Sequence, residues 1–121
     1  MLKKTITYVD YNENKRTEDF YFNLTRAEIT EMEIGEVGGM TQMLNKIIAL
    51  QDNRRIVEVF KELILKAYGE KSPDGKRFIK SQELREAFAQ TEAYSELFIE
   101  LSTDADAAVA FVNGIIPSKM T

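Results

Sequence analysis

An α+β fold with helices dominant is predicted for this 121-residue chain by three features of its sequence. Residues 2–9 and 16–22 are rich in β-branched and aromatic side chains and flank Asp10-Tyr-Asn-Glu-Asn-Lys15, whose Asp and Asn residues favour turns. From Thr25 onward apolar residues recur at three- and four-residue intervals, the spacing of helices that bury one face. Capping residues, glycines and a Ser-Pro-Asp-Gly run then cut that pattern into about five to six short helices. The predicted organisation is one domain: an N-terminal antiparallel β-hairpin over 1–24, a helical body over 25–114 and a flexible C-terminal tail over 115–121.

In the hairpin, period-two alternation puts Leu2, Lys4, Ile6 and Tyr8 on one face and Thr5, Thr7 and Val9 on the other. A lone hairpin is marginal in water, so this one must lie against helices. Thr25-Arg-Ala-Glu28 is a capping-box pattern and predicts a helix to about Ile34, burying Ala27, Ile29 and Met32. Gly35, Gly38 and Gly39 break it, and a second helix fits Met40 to Gln51. Asp52 can cap a third, Asn53 to about Tyr68, with Ile56, Val57, Phe60, Leu63, Ile64, Ala67 and Tyr68 as its apolar stripe.

Gly69 ends that stripe, and Ser72-Pro-Asp-Gly75 has the chemistry of a tight turn. Phe78 and Ile79 anchor the returning chain. Ser81 caps a fourth helix carrying Leu84, Ala87 and Phe88. Thr91 caps a fifth, with Tyr94, Leu97, Phe98 and Leu101 inward. Ser102-Thr-Asp104 opens a last short helix that contains Ala107, Ala108, Phe111 and Val112 and is capped by Gly114.

Composition narrows the function. The chain has no cysteine and no histidine, which removes the thiolate nucleophile, the Cys-based zinc site and the commonest general base near neutral pH. No catalytic residue, cofactor site or metal site is therefore assigned, and the expectation is a protein that is not an enzyme. No apolar run approaches the roughly 18–20 residues that span a bilayer, so no membrane partner is expected.

Charge is segregated. The formal net charge is −4, but residues 53–80 carry eight basic and four acidic groups and residues 81–121 two and seven. Such blocks suit a charged partner or self-association, and equally the solvated faces of a small domain. The basic concentration, with Tyr68 and Phe78 interleaved, could meet phosphates. However, Glu58/Lys61 and Glu62/Lys66 fit internal helix pairs and the whole chain is acidic, so no nucleic-acid partner is predicted.

Three motifs fail on inspection. Asp10-x-Asn12-x-Asn14 opens like a calcium loop, but Lys15 stands where glycine is needed and Tyr21 where the bidentate glutamate is needed. Gly35-Glu-Val-Gly-Gly39 follows a helix rather than a strand and lacks the Lys-Ser/Thr ending of a phosphate cradle. Asp104 and Asp106 read as helix-start charges rather than a reactive pair.

The longer wording is more telling. Thr17-Glu-Asp-Phe-Tyr-Phe-Asn-Leu-Thr25, Tyr68-Gly-Glu-Lys-Ser-Pro-Asp-Gly-Lys-Arg-Phe-Ile79, Thr91-Glu-Ala-Tyr-Ser-Glu-Leu-Phe98 and Asp104-Ala-Asp-Ala-Ala-Val-Ala-Phe-Val-Asn-Gly-Ile-Ile-Pro117 together cover much of the chain. Over nearly its full length the sequence resembles the tail assembly chaperones of long-tailed bacteriophages, or prophages, of Gram-positive hosts. That resemblance implies a non-enzymatic protein of the host bacterial cytoplasm that binds the tape-measure protein, keeps it soluble, helps recruit the tail-tube protein and is absent from the mature virion. It also implies a longer product made by translational frameshifting, of which this chain, ending in Pro117-Ser-Lys-Met-Thr121, would be the short form.

Holding an apolar helical client needs apolar or aromatic surface beside charge. Tyr68, Phe78, Tyr94 and Phe98, with Lys76 and Arg77, are the predicted partner-binding residues; the four aromatics fit an ordinary core stripe as well. The alternative within the same setting is a structural minor tail or connector protein retained in the virion. An acidic inhibitor that mimics DNA is disfavoured by the basic central block.

Overall fold

A computed structural model describes residues 1–34 and 53–116. Its elements in chain order are β1 (Leu2–Val9), β2 (Lys15–Phe22), α1 (Arg26–Ile34), α2 (Asn53–Ala67), β3 (Tyr68–Lys71), β4 (Phe78–Ile79), α3 (Gln82–Ala89), α4 (Glu92–Thr103) and α5 (Ala105–Ile115). The predicted Gly35–Gly39 break, the helix over Met40–Gln51 and the Asp52 cap lie outside the described residues, as does 117–121.

The N-terminal hairpin forms as its alternation predicts. β1 and β2 pair antiparallel from Leu2↔Phe22 to Val9↔Lys15. Asp10 closes the turn with its carboxylate, which accepts from the amides of Asn12 and Asn14 (both 2.9 Å) and from Arg16. That side chain is thus spent on the turn, and these contacts with the Arg16 guanidinium first among them hold its pKa below the usual carboxylate value. Ile6 is buried and Leu2, Lys4 and Tyr8 are half-buried on the inner face, while Thr5, Thr7 and Val9 are exposed.

The predicted α+β class is observed, with one addition to the sheet. The stretch expected to finish the third helix and turn straight into the fourth instead forms a second hairpin. α2 stops at Ala67, Tyr68 and Gly69 pair with Phe22 and Tyr21 of β2, and β4 pairs back on β3 through Glu70↔Ile79 and Lys71↔Phe78. Among the described residues the sheet is four-stranded, in the order β1-β2-β3-β4. Tyr68 keeps the helical rhythm from Ile64, so periodicity alone extends the helix over it. Pairing with β2 overrides that local preference, and the Asn23 amide donating to the Ala67 carbonyl (2.8 Å) caps the change of direction.

Gly69 makes the second hairpin possible. A Cβ there would lie 2.7 Å from both the Ile79 carbonyl oxygen and the Phe78 ring. At the tip the predicted turn is observed: Gly75 has φ +73°, its amide donates to the Ser72 carbonyl (2.9 Å), and Ser72 Oγ donates to Asp74 (2.6 Å) while accepting from the Arg77 amide (3.0 Å).

Every predicted N-terminal cap among the described residues is in place. Thr25 Oγ1 accepts from the Glu28 amide (3.1 Å) and Glu28 accepts from the Thr25 amide (2.8 Å), a reciprocal capping box. Ser81, Thr91 and Asp104 accept from the amides of Leu84, Tyr94 and Ala107. The last helix differs at its end. It runs through Ile115 rather than closing at Gly114, and Ile115, expected to begin a tail, is fully buried with its carbonyl accepting from the Leu24 amide (3.0 Å). Gly114 sits inside the helix, where Leu2 packs against it. The helices line one face of the sheet, and Phe22, Leu24, Phe60, Leu63, Ile64, Leu97, Leu101 and Phe111 form the centre of the core.

Candidate functional site

The six predicted contact residues fall into two groups. Tyr68, Tyr94 and Phe98 belong to one aromatic row whose hub is Phe88 of α3. Tyr68 stacks on Phe88 with ring centroids 4.2 Å apart and an interplanar angle of 7°. Tyr94 meets Phe88 edge-on at 5.7 Å, and Phe98 follows Tyr94 at 5.9 Å. Phe20 and Phe22 close on Phe88 from β2 at 5.3 and 5.8 Å, and Phe22 reaches Phe111 at 5.3 Å. Each well-placed pair contributes about 0.5–1.5 kcal/mol beyond the area it buries. Tyr68, Tyr94 and Phe98 are half-buried at the margin of the core. Burial raises the pKa of both tyrosines, with the Glu70 charge adding to the effect at Tyr68.

Phe78, Lys76 and Arg77 lie apart from that row, on the β3–β4 hairpin. The Phe78 ring covers Gly69, and Lys80 Nζ stands 5.8 Å from its centroid. Lys76 and Arg77 are exposed in the turn. Their backbone is fixed, because Asp74 accepts from the Lys76 amide (3.0 Å) and Ser72 Oγ from that of Arg77. The Ser72 hydroxyl, then the Lys76 amide, hold the Asp74 carboxyl below its ordinary pKa.

An open cleft of about 410 Å³ lies beside the β2–β3 pairing, lined by Glu18, Asp19, Phe20, Tyr21 and Tyr68 to Lys71. Lys71 Nζ sits 4.8 Å above the Tyr21 ring on its wall. A second groove of about 250 Å³ runs between β1 and α4, lined by Thr5, Ile6, Thr7, Glu96, Leu97, Ile99 and Glu100. Ile99 is 55% exposed there, the only large apolar side chain of α4 turned mainly to solvent.

One polar junction has the burial of a functional group but the connectivity of a structural one. Lys80 Nζ donates to the Asn23 carbonyl (2.7 Å) and to both carboxylate oxygens of Glu28 (2.9 and 2.7 Å). Partial burial pushes the Glu28 carboxyl up, but Lys80 and the Thr25 amide outweigh it and hold the pKa below the usual glutamate value. All three Lys80 ammonium donors are used in tying the end of β2, the start of α1 and the entry to α3 together. Among the described residues no group of three His, Cys, Asp or Glu side chains is placed to hold a metal ion.

Sequence reasoning did not single out Phe88 as the hub, the Lys80–Glu28 junction or the exposed Ile99. Only Phe88 left a local signal, since Phe20-x-Phe22 alternation and Phe88 on a core stripe implied that the three rings could meet. The surface thus presents aromatic margins, an edge groove and a basic turn. No curated protein and no solved structure matches the chain. The phage tail assembly chaperone family matches residues 1–121, the whole of the sequence. With its helices laid on a hairpin-built sheet, the chain belongs to the phage tail assembly chaperone family.

Proposed function

We propose that this chain is a non-enzymatic chaperone of the host bacterial cytoplasm that binds the tape-measure protein, keeps it soluble and helps bring tail-tube subunits to it, without remaining in the mature virion. The observation that carries the reading is the full-length match to the chaperone family. Two features support the finer claim of client binding. Aromatic rings at the core margin offer apolar surface to a helical partner, and the exposed Lys76–Arg77 turn supplies charge beside Phe78. Tyr68, Phe78, Tyr94 and Phe98, with Lys76 and Arg77, are the proposed contacts. A frameshifted longer product fits the same role, and a slippery heptamer with an overlapping downstream frame near codons 110–121 is its nucleotide test.

Co-expression with the tape-measure protein tests the function. The expected result is a soluble client that co-purifies with the chain and is lost when Phe98→Ser is used in a variant whose circular dichroism matches wild type. A client that stays insoluble with both the short and any longer form overturns it. Mass spectrometry of purified virions supplies the second arm: stoichiometric recovery of the chain would make it a structural tail or connector protein instead.

A further inference from the structure

Asp74–Gly75 is the only Asp-Gly pair in the chain, and it sits exposed at the tip of the β3–β4 hairpin. Such a pair carries its own chemistry. The Gly75 backbone nitrogen can attack the Asp74 side-chain carbonyl carbon. The new C–N bond closes a cyclic imide, and the hydroxyl of the neutral acid leaves with the amide proton as water. Water then opens the ring at either carbonyl, giving back aspartate or leaving isoaspartate, whose main chain has gained a methylene. Glycine favours the attack because it has no side chain to hinder it, and a Cβ at Gly75 would meet nothing within 4 Å. Sterics leave the reaction open. Hydrogen bonding closes it. The Gly75 amide donates to the Ser72 carbonyl (2.9 Å), which holds the nitrogen in the turn. Asp74 Oδ1 accepts from Ser72 Oγ (2.6 Å) and from the Lys76 amide (3.0 Å), bonds that favour the charged carboxylate. Ring closure needs the reverse, a neutral acid free to rotate towards Gly75. Among the described residues Ser72 is the only buried polar side chain, and its Oγ also accepts from the Arg77 amide (3.0 Å).

We propose that Asp74–Gly75 is a latent isoaspartate site, held shut in the native hairpin by the Ser72 hydroxyl and released when β3 and β4 part. Ser72 is a positioning residue, since it fixes the carboxylate away from the attacking nitrogen and forms no bond in the reaction. β4 pairs with β3 only through Glu70↔Ile79 and Lys71↔Phe78, so this hairpin can open while the core stays folded. The product matters for the surface. A methylene inserted at Asp74 would draw its carboxylate off the Lys76 amide and undo the turn that presents Lys76 and Arg77. The chain supplies its own control. Its only Asn-Gly pair, Asn113–Gly114, lies inside α5, where helical hydrogen bonding holds the Gly114 amide until that helix unfolds. Reaction at Asp74 therefore reports the hairpin, and reaction at Asn113 reports the core. No client is required, so this inference stands or falls separately from tape-measure binding.

Incubation of the purified full chain in water labelled with oxygen-18 tests it, because each imide that opens takes up a solvent oxygen. Digestion with trypsin in ordinary water then isolates Ser72–Lys76 for mass spectrometry. Folded wild type should label at Asp74 about tenfold more slowly than the chain in urea, the scale set by one hydrogen bond to a charged group. Ser72→Ala should label about tenfold faster than wild type while Asn113 keeps its amide. Ser72→Cys, close in shape but a weak donor, should do the same and serves where the alanine variant does not fold. The labelling rate falls as the reacting acid ionises. The Ser72 hydroxyl is the first of the groups that hold the Asp74 carboxyl below its ordinary pKa, so that fall should come at lower pH in wild type than in either variant. Folded wild type that labels as fast as the chain in urea overturns the proposal. Variants that label at the wild-type rate, or an unmoved pH profile, overturn it equally. Loss of the Asn113 amide in step with Asp74 labelling would assign the effect to the core and overturn the role given to the hairpin.

Discussion

Replacing Lys80 by Met should destabilise the fold by about 2–3 kcal/mol at neutral pH. The side chain is 12% exposed and its Glu28 partner 24%, so solvent screens the pair only in part. Hydrogen bonds to charged groups contribute about 1.5–3 kcal/mol each by mutation, and stranding one member of a fully buried pair costs about 3–5. Here Glu28 keeps its Thr25 amide and some water, which places the loss below the buried limit. Methionine preserves the stem, so the change isolates the ammonium and its bonds to Asn23 and Glu28. The assay is urea unfolding of wild type, Lys80→Met, Glu28→Gln and the double variant, with a coupling energy above about 1 kcal/mol expected from the cycle. The pH dependence follows from Glu28, whose folded pKa lies below its unfolded value. Its contribution is therefore complete above the ordinary glutamate pKa of about 4.3 and is lost as pH falls through the folded value. Lys80→Met should flatten that acid limb. A variant within about 0.5 kcal/mol of wild type, or a cycle with no coupling, would refute the reasoning.

Gly69→Ala should cost about 1–3 kcal/mol in urea unfolding, because the new methyl meets the Ile79 carbonyl and must part β3 from β4; a neutral result would mean that the second hairpin is not held this closely. Gly75→Ala should cost only about 1–2 kcal/mol, from the φ +73° backbone alone, with nothing for its methyl to strike. Phe88→Ala should be the most damaging of the aromatic truncations, at about 3–5 kcal/mol, since four of the other rings touch it; equal losses for Phe88→Ala and Phe98→Ala would contradict the hub arrangement. Ile99→Ser should leave the unfolding free energy within about 0.5 kcal/mol of wild type, because the side chain is already mostly in water.

What could be read from the sequence was what depends on near neighbours. The caps at Thr25, Ser81, Thr91 and Asp104 are set by side chains reaching amides three residues on, and period-two alternation fixed the faces of β1. The Ser72–Gly75 turn was equally local. The strands flanking it were not, because Tyr68 and Gly69 become strand only by pairing with Phe22 and Tyr21 of β2. Lys80 and Glu28 are 52 residues apart and nothing local links them. Ile115 looked like the start of a tail because it follows Gly114, yet that glycine serves Leu2 rather than the helix end. For the proposed contacts, spacing marked Tyr94 and Phe98 as inward, and half-burial at the core margin leaves only part of each ring for a partner.

That partial exposure bears on how such a chaperone could hold a client. If roughly a quarter of a ~200 Å² aromatic side chain stays accessible, Tyr68, Tyr94 and Phe98 together offer about 150 Å². At ~25 cal/mol per Å² this amounts to about 4 kcal/mol before any cost of association. Losing translational and rotational freedom alone costs about 4–15 kcal/mol, so one copy gripping through these margins would bind weakly. Several copies on one client would change the arithmetic, because each added subunit would bind it at high effective concentration. Weak contacts per copy also leave the client releasable once other tail proteins compete for it. The modest apolar surface of each subunit then becomes a condition of release.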